Sequence, residues 1–115
     1  MNADFERKRY PVLGRREFET VFKKGRSKAV GGIVVYMLPN NLSTYRIGVA
    51  VSRKVGCAVH RNRVRRLLRE VCRLNPHWFR PGYDYVLLAS SLTGRHVTLS
   101  AVKKAAGKAL CHREK

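Results

Sequence analysis

The chain has 115 residues, of which 25 are Lys or Arg and 7 are Asp or Glu, for a formal charge of +18. That length builds one core and one domain, residues 1–115, and an apolar fraction of 44% argues against wholesale disorder. Charge this lopsided makes the compact state repel itself and points to a polyanionic partner, nucleic acid before an anionic membrane; no run approaches the ~18 apolar residues of a spanning helix.

In chain order, residues 1–12 are polar and basic, without the apolar core of a secretory signal, and are expected to run extended over the surface. Arg15 to Lys24 reads as a helix with Phe18, Val21 and Phe22 on one face and Gly25 as its stop. Two phenylalanines at i, i+4 usually belong to a core; the alternative is that one stays exposed as a platform for bases. Gly31-Gly32 introduces a strand from Ile33 to Leu38 containing Tyr36, and Pro39-Asn40-Asn41 turns the chain. Tyr45 to Ser52 is a second strand. Ile47, Val49 and Val51 share one of its faces, and Gly48, Ala50 and Ser52 leave room on the other for close approach by a packed helix or a ligand backbone.

A basic loop, Arg53 to Gly56, feeds the most informative stretch, Ala58 to Leu74. Val64, Leu67, Leu68, Val71 and Leu74 recur at three- and four-residue steps and form one helical stripe. Asn62, Arg66, Arg69 and Arg73 fall on the opposite side, with Arg61 and Arg65 on one shoulder and Arg63 on the other. Six arginines here face a single acid, Glu70, more positive charge than a solvated face requires. Guanidinium matches phosphate oxygens two at a time, so this helix is expected to present a nucleic-acid surface. Its first N–H groups, with Arg53 and Lys54, would seat a phosphate. Asn75-Pro76 ends the helix, Trp78-Phe79 close one end of the core, and Pro81-Gly82 turns into a third strand, Tyr83 to Ser90. After a loop over residues 91–97, Thr98 caps a final helix with Leu99, Val102, Ala106, Ala109 and Leu110 inward and Lys103, Lys104 and Lys108 outward. The reading is a single α+β domain in the order α-β-β-α-β-α, its central sheet packed by helices.

No catalytic constellation emerges. The acids are scattered, the four histidines fall at no metal-ligand spacing, and neither a P-loop nor a GxGxxG occurs. Cys57, Cys72 and Cys111 are an odd number without CxxC spacing, which fits neither a disulfide framework nor a zinc site and suits a reducing cytoplasm.

The run Val51-Ser52-Arg53-Lys54-Val55-Gly56-Cys57-Ala58-Val59-His60-Arg61-Asn62-Arg63-Val64-Arg65-Arg66 closely resembles the signature of the bacterial ribonuclease P protein subunit. Arg16 to Gly25 resembles that family's first helix and Val34-Val35-Tyr36 its first main strand. The likeness covers residues 7–110, least distinctively at the C-terminal end. It implies a small non-catalytic protein bound to a large RNA that removes the 5′ leader of precursor tRNA by magnesium-dependent hydrolysis. It further implies a left-handed β-α-β crossover and a cleft, formed by the sheet and the arginine-rich helix, for the single-stranded leader. Carried over by motif, Phe18, Phe22, Tyr36, Ser52, Arg53 and Lys54 would bind the leader. Arg61, Asn62, Arg63, Arg65, Arg66, Arg69 and Arg73 would bind the catalytic RNA. The expected partners are the ribonuclease P RNA and precursor tRNA, with the protein monomeric in a 1:1 complex with the RNA, no membrane, no small-molecule substrate, and no metal or cofactor on the protein itself. The alternative is a structural, ribosomal-type rRNA-binding protein with no processing role.

Overall fold

A computed structural model describes residues 12–90 and 98–111. Helix α1 (Arg15–Lys24) is followed by strands β1 (Arg26–Val30), β2 (Ile33–Pro39) and β3 (Arg46–Val51), helix α2 (Ala58–Leu74), strand β4 (Tyr83–Ala89) and helix α3 (Leu99–Cys111). Single turns of 3-10 helix, Arg53–Val55 and Pro76–Trp78, flank α2. The expected extended segment up to residue 11, the loop over 91–97 and the inward placement of Leu99 lie outside the described residues and side chains. Val12 makes an isolated parallel bridge to Ile47 and is 62% exposed.

The four strands lie in the order β1-β2-β4-β3. β1, absent from the sequence reading, pairs antiparallel with β2 from Arg26↔Met37 to Val30↔Ile33. Gly31 and Gly32 join them with φ of 60° and 88°, the positive values that a two-residue turn needs to match strand twist. At the other end of the sheet β3 and β4 run parallel, Ile47 opposite Tyr85 and Val49 opposite Leu87, so α2 is the crossover of a β-α-β unit.

The period-2 alternation of β3 divides the molecule. Ile47, with Val49 and Val51 packed alongside, joins Val35, Leu87, Val64, Leu68, Val71 and Val102 in the main core, where α2 covers β3 and β4 while α3 covers β1 and β2. The opposite face carries α1 in a smaller core of Leu13, Val21 and Val86, with Phe18, Tyr36 and Leu38 packed against it. These faces fix the hand of the crossover. The Ser52 N–H donates to the Ala89 carbonyl at 2.9 Å, so the residues of β3 whose amides aim at β4 are those facing α1. For L-residues this puts β4 on the left of β3 when α2 is in front, a left-handed crossover against the strong right-handed norm.

The helices end as their residues dictate. The Gly25 N–H donates to the Val21 carbonyl at 2.8 Å, and a Cβ at Gly25 would lie 3.0 Å from the Met37 carbonyl of β2. Thr98 caps α3, its hydroxyl accepting from the Ala101 N–H at 3.2 Å. One member of the apolar stripe departs from expectation: Leu74, in the last turn of α2, is 49% exposed. Asn75 takes the buried position beyond it and donates from Nδ2 to the Val71 carbonyl at 2.9 Å. Asp84, the buried acid, accepts from Arg46 Nε (2.9 Å), Arg46 Nη2 (2.8 Å) and Asn40 Nδ2 (2.8 Å), tying β3, β4 and the β2–β3 turn together.

The space beside Gly48 is taken by a helix, one of the two occupants considered for that face. A Cβ there would meet the Phe18 ring at 2.7 Å and Leu13 Cδ1 at 3.2 Å. Gly48→Ala therefore pushes α1 off the sheet and should cost about 1–3 kcal/mol of stability, as overpacking does. Chemical denaturation monitored by circular dichroism measures it, and an unchanged midpoint would contradict the close packing.

Candidate nucleic-acid interface

The signature segment has a structural reason at each position. The Ser52 hydroxyl accepts from the Lys54 N–H at 3.2 Å and caps the first 3-10 turn, while Val55 is 3% exposed and pins that turn to the core. Gly56 has φ of 148°, and a Cβ on it would strike the His60 ring at 2.9 Å. Both constraints demand glycine. Arg61 donates back to the Gly56 carbonyl at 3.4 Å. Together these contacts set the angle at which α2 leaves the sheet.

On α2, Val64 and Leu68 are fully buried and Val71 nearly so, which turns the polar side outward. Asn62, Arg63, Arg66 and Arg69 are exposed, and Arg61, Arg65 and Arg73 are half-buried along the flanks. Arg65 donates to Asn62 Oδ1 at 2.7 Å, an i, i+3 bond that holds the guanidinium along the helix. Arg73 grips the Glu70 carboxylate through Nε and Nη2, which raises its pKa and neutralises its charge locally. Of the seven positions assigned to the catalytic RNA, Arg66 and Arg69 are exposed and carry no acidic partner among the described residues.

The start of α2 favours negative charge. The backbone N–H groups of His60 and Val59 hold the Cys57 thiol below the ordinary cysteine range, and the Arg61 charge adds to this. No side chain caps this end, and no acid lies in its first turn. Arg53 and Lys54 are exposed immediately before it.

The aromatic positions lie on the other face of the sheet. Phe18 and Phe22 meet edge to face with centroids 5.4 Å apart, and Phe22 and Tyr36 do the same at 4.8 Å. Phe18 and Tyr36 are half-buried and Phe22 is 37% exposed, so both readings of the phenylalanine pair hold in part. Tyr36 lies in a row with Val86 and Gly48. The next row holds Val34, Leu88 and Ala50, all partly accessible. Ser52 lies one row further, about 13 Å along the strands from the Tyr36 row at ~3.3 Å per residue. The structure thus joins Phe18, Phe22 and Tyr36 into one aromatic row and places Ser52, Arg53 and Lys54 at the far end of the same face.

This geometry corrects one expectation. The family resemblance implies a cleft between the sheet and the arginine helix, but α2 packs on the side of the sheet opposite the aromatic row. The aromatic row is bounded by α1 and the sheet, and the segment leading into α2 meets the far end of that face at Ser52. Ala50 belongs to the small-residue face read from sequence, whereas Val34 and Leu88 join it only through the pairing of β4 with β2 and β3. Among the described residues no three His, Cys, Asp or Glu side chains gather to hold a metal ion, and no helix is long and apolar enough to cross a membrane.

The chain matches the family described as Ribonuclease P over residues 7–112. It is 53% identical over 74 residues to the ribonuclease P protein component of Pelotomaculum thermopropionicum, covering 64% of this chain and 66% of that one. It is 44% identical over 84 residues to that of Exiguobacterium sibiricum, covering 72% of each. The chain thus spans about two thirds of the first relative's length. Its fold is similar to the solved structure of a Staphylococcus aureus RNase P protein mutant, with a TM-score of 0.79, 26% identity, and 99% and 98% of the two chains covered.

Two cysteines test the local fields. Burial pushes the Cys72 thiol up to about 12, so the native state keeps a proton that the unfolded chain loses near pH 8.5. This residue's contribution is therefore intact below that pH and is lost as pH rises towards 12. At pH 8, iodoacetamide should alkylate Cys57 readily and Cys72 at least about a hundredfold more slowly, since Cys72 reacts only after opening. Peptide mass spectrometry reads both, and comparable rates would contradict this burial.

Proposed function

Since the chain belongs to the ribonuclease P protein family, we propose that it is the protein subunit of that endoribonuclease, binding the catalytic RNA through α2 and the precursor-tRNA leader through the aromatic face. One observation carries the reading: a core-anchored helix with Arg66 and Arg69 outward and without an acidic partner among the described residues lies on one side of the sheet, and an accessible aromatic row lies on the other. Two RNA segments can be held at once without competing for one surface.

The chain's own residues bind and orient. Arg66 and Arg69, flanked by Arg61, Asn62, Arg63 and Arg65, take phosphates of the folded RNA; Arg73, occupied by Glu70, contributes less. A single-stranded leader lies along the face from Phe22 and Tyr36 towards Ser52, stacked on rings and largely unread in sequence. Its phosphates end near Arg53, Lys54 and the N–H groups of α2. Cationic groups between two polyanions lower their repulsion, which brings substrate to the RNA. Magnesium and the bond-breaking chemistry belong to the RNA. The protein acts as a monomer in a 1:1 complex in the cytoplasm.

Precursor-tRNA cleavage by the RNA subunit at low magnesium, with and without the protein, is the direct test. Stimulation is expected, and none would favour a structural rRNA-binding protein. Phe22→Ala should weaken binding of leader-bearing precursor by about 1–3 kcal/mol and leave mature tRNA binding unchanged; equal loss for both would remove Phe22 from the leader site. Arg66→Gln with Arg69→Gln should reduce the slope of log affinity against log salt by about one per lost phosphate contact. An unchanged slope would exclude the outer face of α2.

A further inference from the structure

The helical layer is two helices wide. α2 covers β3 and β4, α3 covers β1 and β2, and the two pack against each other, so their outward sides form one surface. On α3, Val102, Ala106 and Ala109 are fully buried while Lys103, Lys104 and Lys108 are exposed. Neighbouring β1 adds Arg26 and Lys28, whose register places them on the face that α3 covers. Neither β1 nor α3 contains an acid. The described acids lie elsewhere: Glu17 and Glu19 on α1 across the sheet, Asp84 buried against Arg46, and Glu70 occupied by Arg73. A solvated helix face normally intersperses both signs. Among the described residues no acid offsets these lysines.

The geometry points to a second RNA contact: Lys103, Lys104 and Lys108 of α3 extend the arginine surface of α2 and engage a double-helical segment of the catalytic RNA. This rests on the proposed function and adds a surface to it. Two helices of ~10 Å diameter side by side give a platform ~20 Å across. That breadth suits phosphates on two strands of a duplex, which proteins recognise by shape and backbone. A single strand is served on the opposite face. No large apolar side chain is exposed between Ser100 and Leu110, so α3 lacks the apolar face that would sink it into a membrane interface.

The test compares the full-length protein with its K103Q/K104Q/K108Q variant, against a ribonuclease P RNA transcript and a short single-stranded leader oligonucleotide. The expected result is a fall of two to three in the salt slope for the transcript, at about 0.9 per duplex phosphate contact, with oligonucleotide binding unchanged. Lys→Arg at the three positions should restore the slope. An unchanged slope in the glutamine variant overturns the second contact; if R66Q/R69Q still loses slope under the same conditions, the proposed function stands, and if neither variant does, both fall. Equal losses on transcript and oligonucleotide overturn the duplex assignment. Lysine-dependent sedimentation with phosphatidylserine vesicles, the RNA slope being unchanged, overturns it in favour of a membrane surface.

Discussion

The alternation of side chains along β3 is the constraint from which the rest of the arrangement follows. Ile47 is buried beneath α2 with Val49 and Val51 beside it, while Gly48 presses against Phe18 on the other side. A one-residue slip in the β3–β4 register would exchange the two sets. The arginine helix would then lose its apolar bed, and the aromatic row would lose the gap into which Phe18 fits. The period of two in this six-residue strand keeps the cationic helical face and the aromatic face apart.

Charge is handled by keeping acids away from the cationic surfaces. Asp84 is 4% exposed and spends both oxygens on Arg46, with Asn40 sharing one of them. That group knits strands together and withdraws one cation and one anion from the outer field. Glu70 does the same for Arg73 at the far end of α2. What remains outward on the helical layer is almost entirely positive. The compact state bears the resulting repulsion because burial of Leu68, Val71, Leu87 and their neighbours outweighs it, each side chain contributing about 1.5–3 kcal/mol.

Much of this was legible in the residues. The spacing of Phe18, Val21 and Phe22 and the stripe from Val64 to Val71 gave both helices their observed limits, Arg15–Lys24 and Ala58–Leu74, because capping and periodicity are local signals. β1 escaped because Arg26 to Val30 carries one β-branched residue, Val30, and no aromatic; it is a strand through its pairing with β2, and the signal available was Gly31-Gly32 as a two-residue hairpin turn. Leu74 continues the stripe in spacing but not in burial, because at the final turn the chain turns away and Asn75 takes the buried position. The side of the sheet on which the aromatic row lies is a tertiary fact that no local pattern encodes. The candidate site residues were nameable one by one, but their division between two faces was not.

The two cationic helices use different side chains, and the difference has a physical use. On α2 the groups are arginines, some braced by neighbours: Arg65 by Asn62 and Arg61 by the Gly56 carbonyl. A planar fork held in place favours a particular phosphate geometry and resists sliding. On α3 the groups are lysines, compact charges on flexible stems that accept many phosphate positions. Fixed forks beside mobile ammonium groups suit an RNA whose docking orientation is set along one line of contacts while the adjoining backbone needs only neutralisation. The short connection from β3 to α2 serves the same division: Arg53 and Lys54, at the end of the aromatic face, and Arg61, the first cation of the helical face, belong to one segment, Ser52 to Arg61.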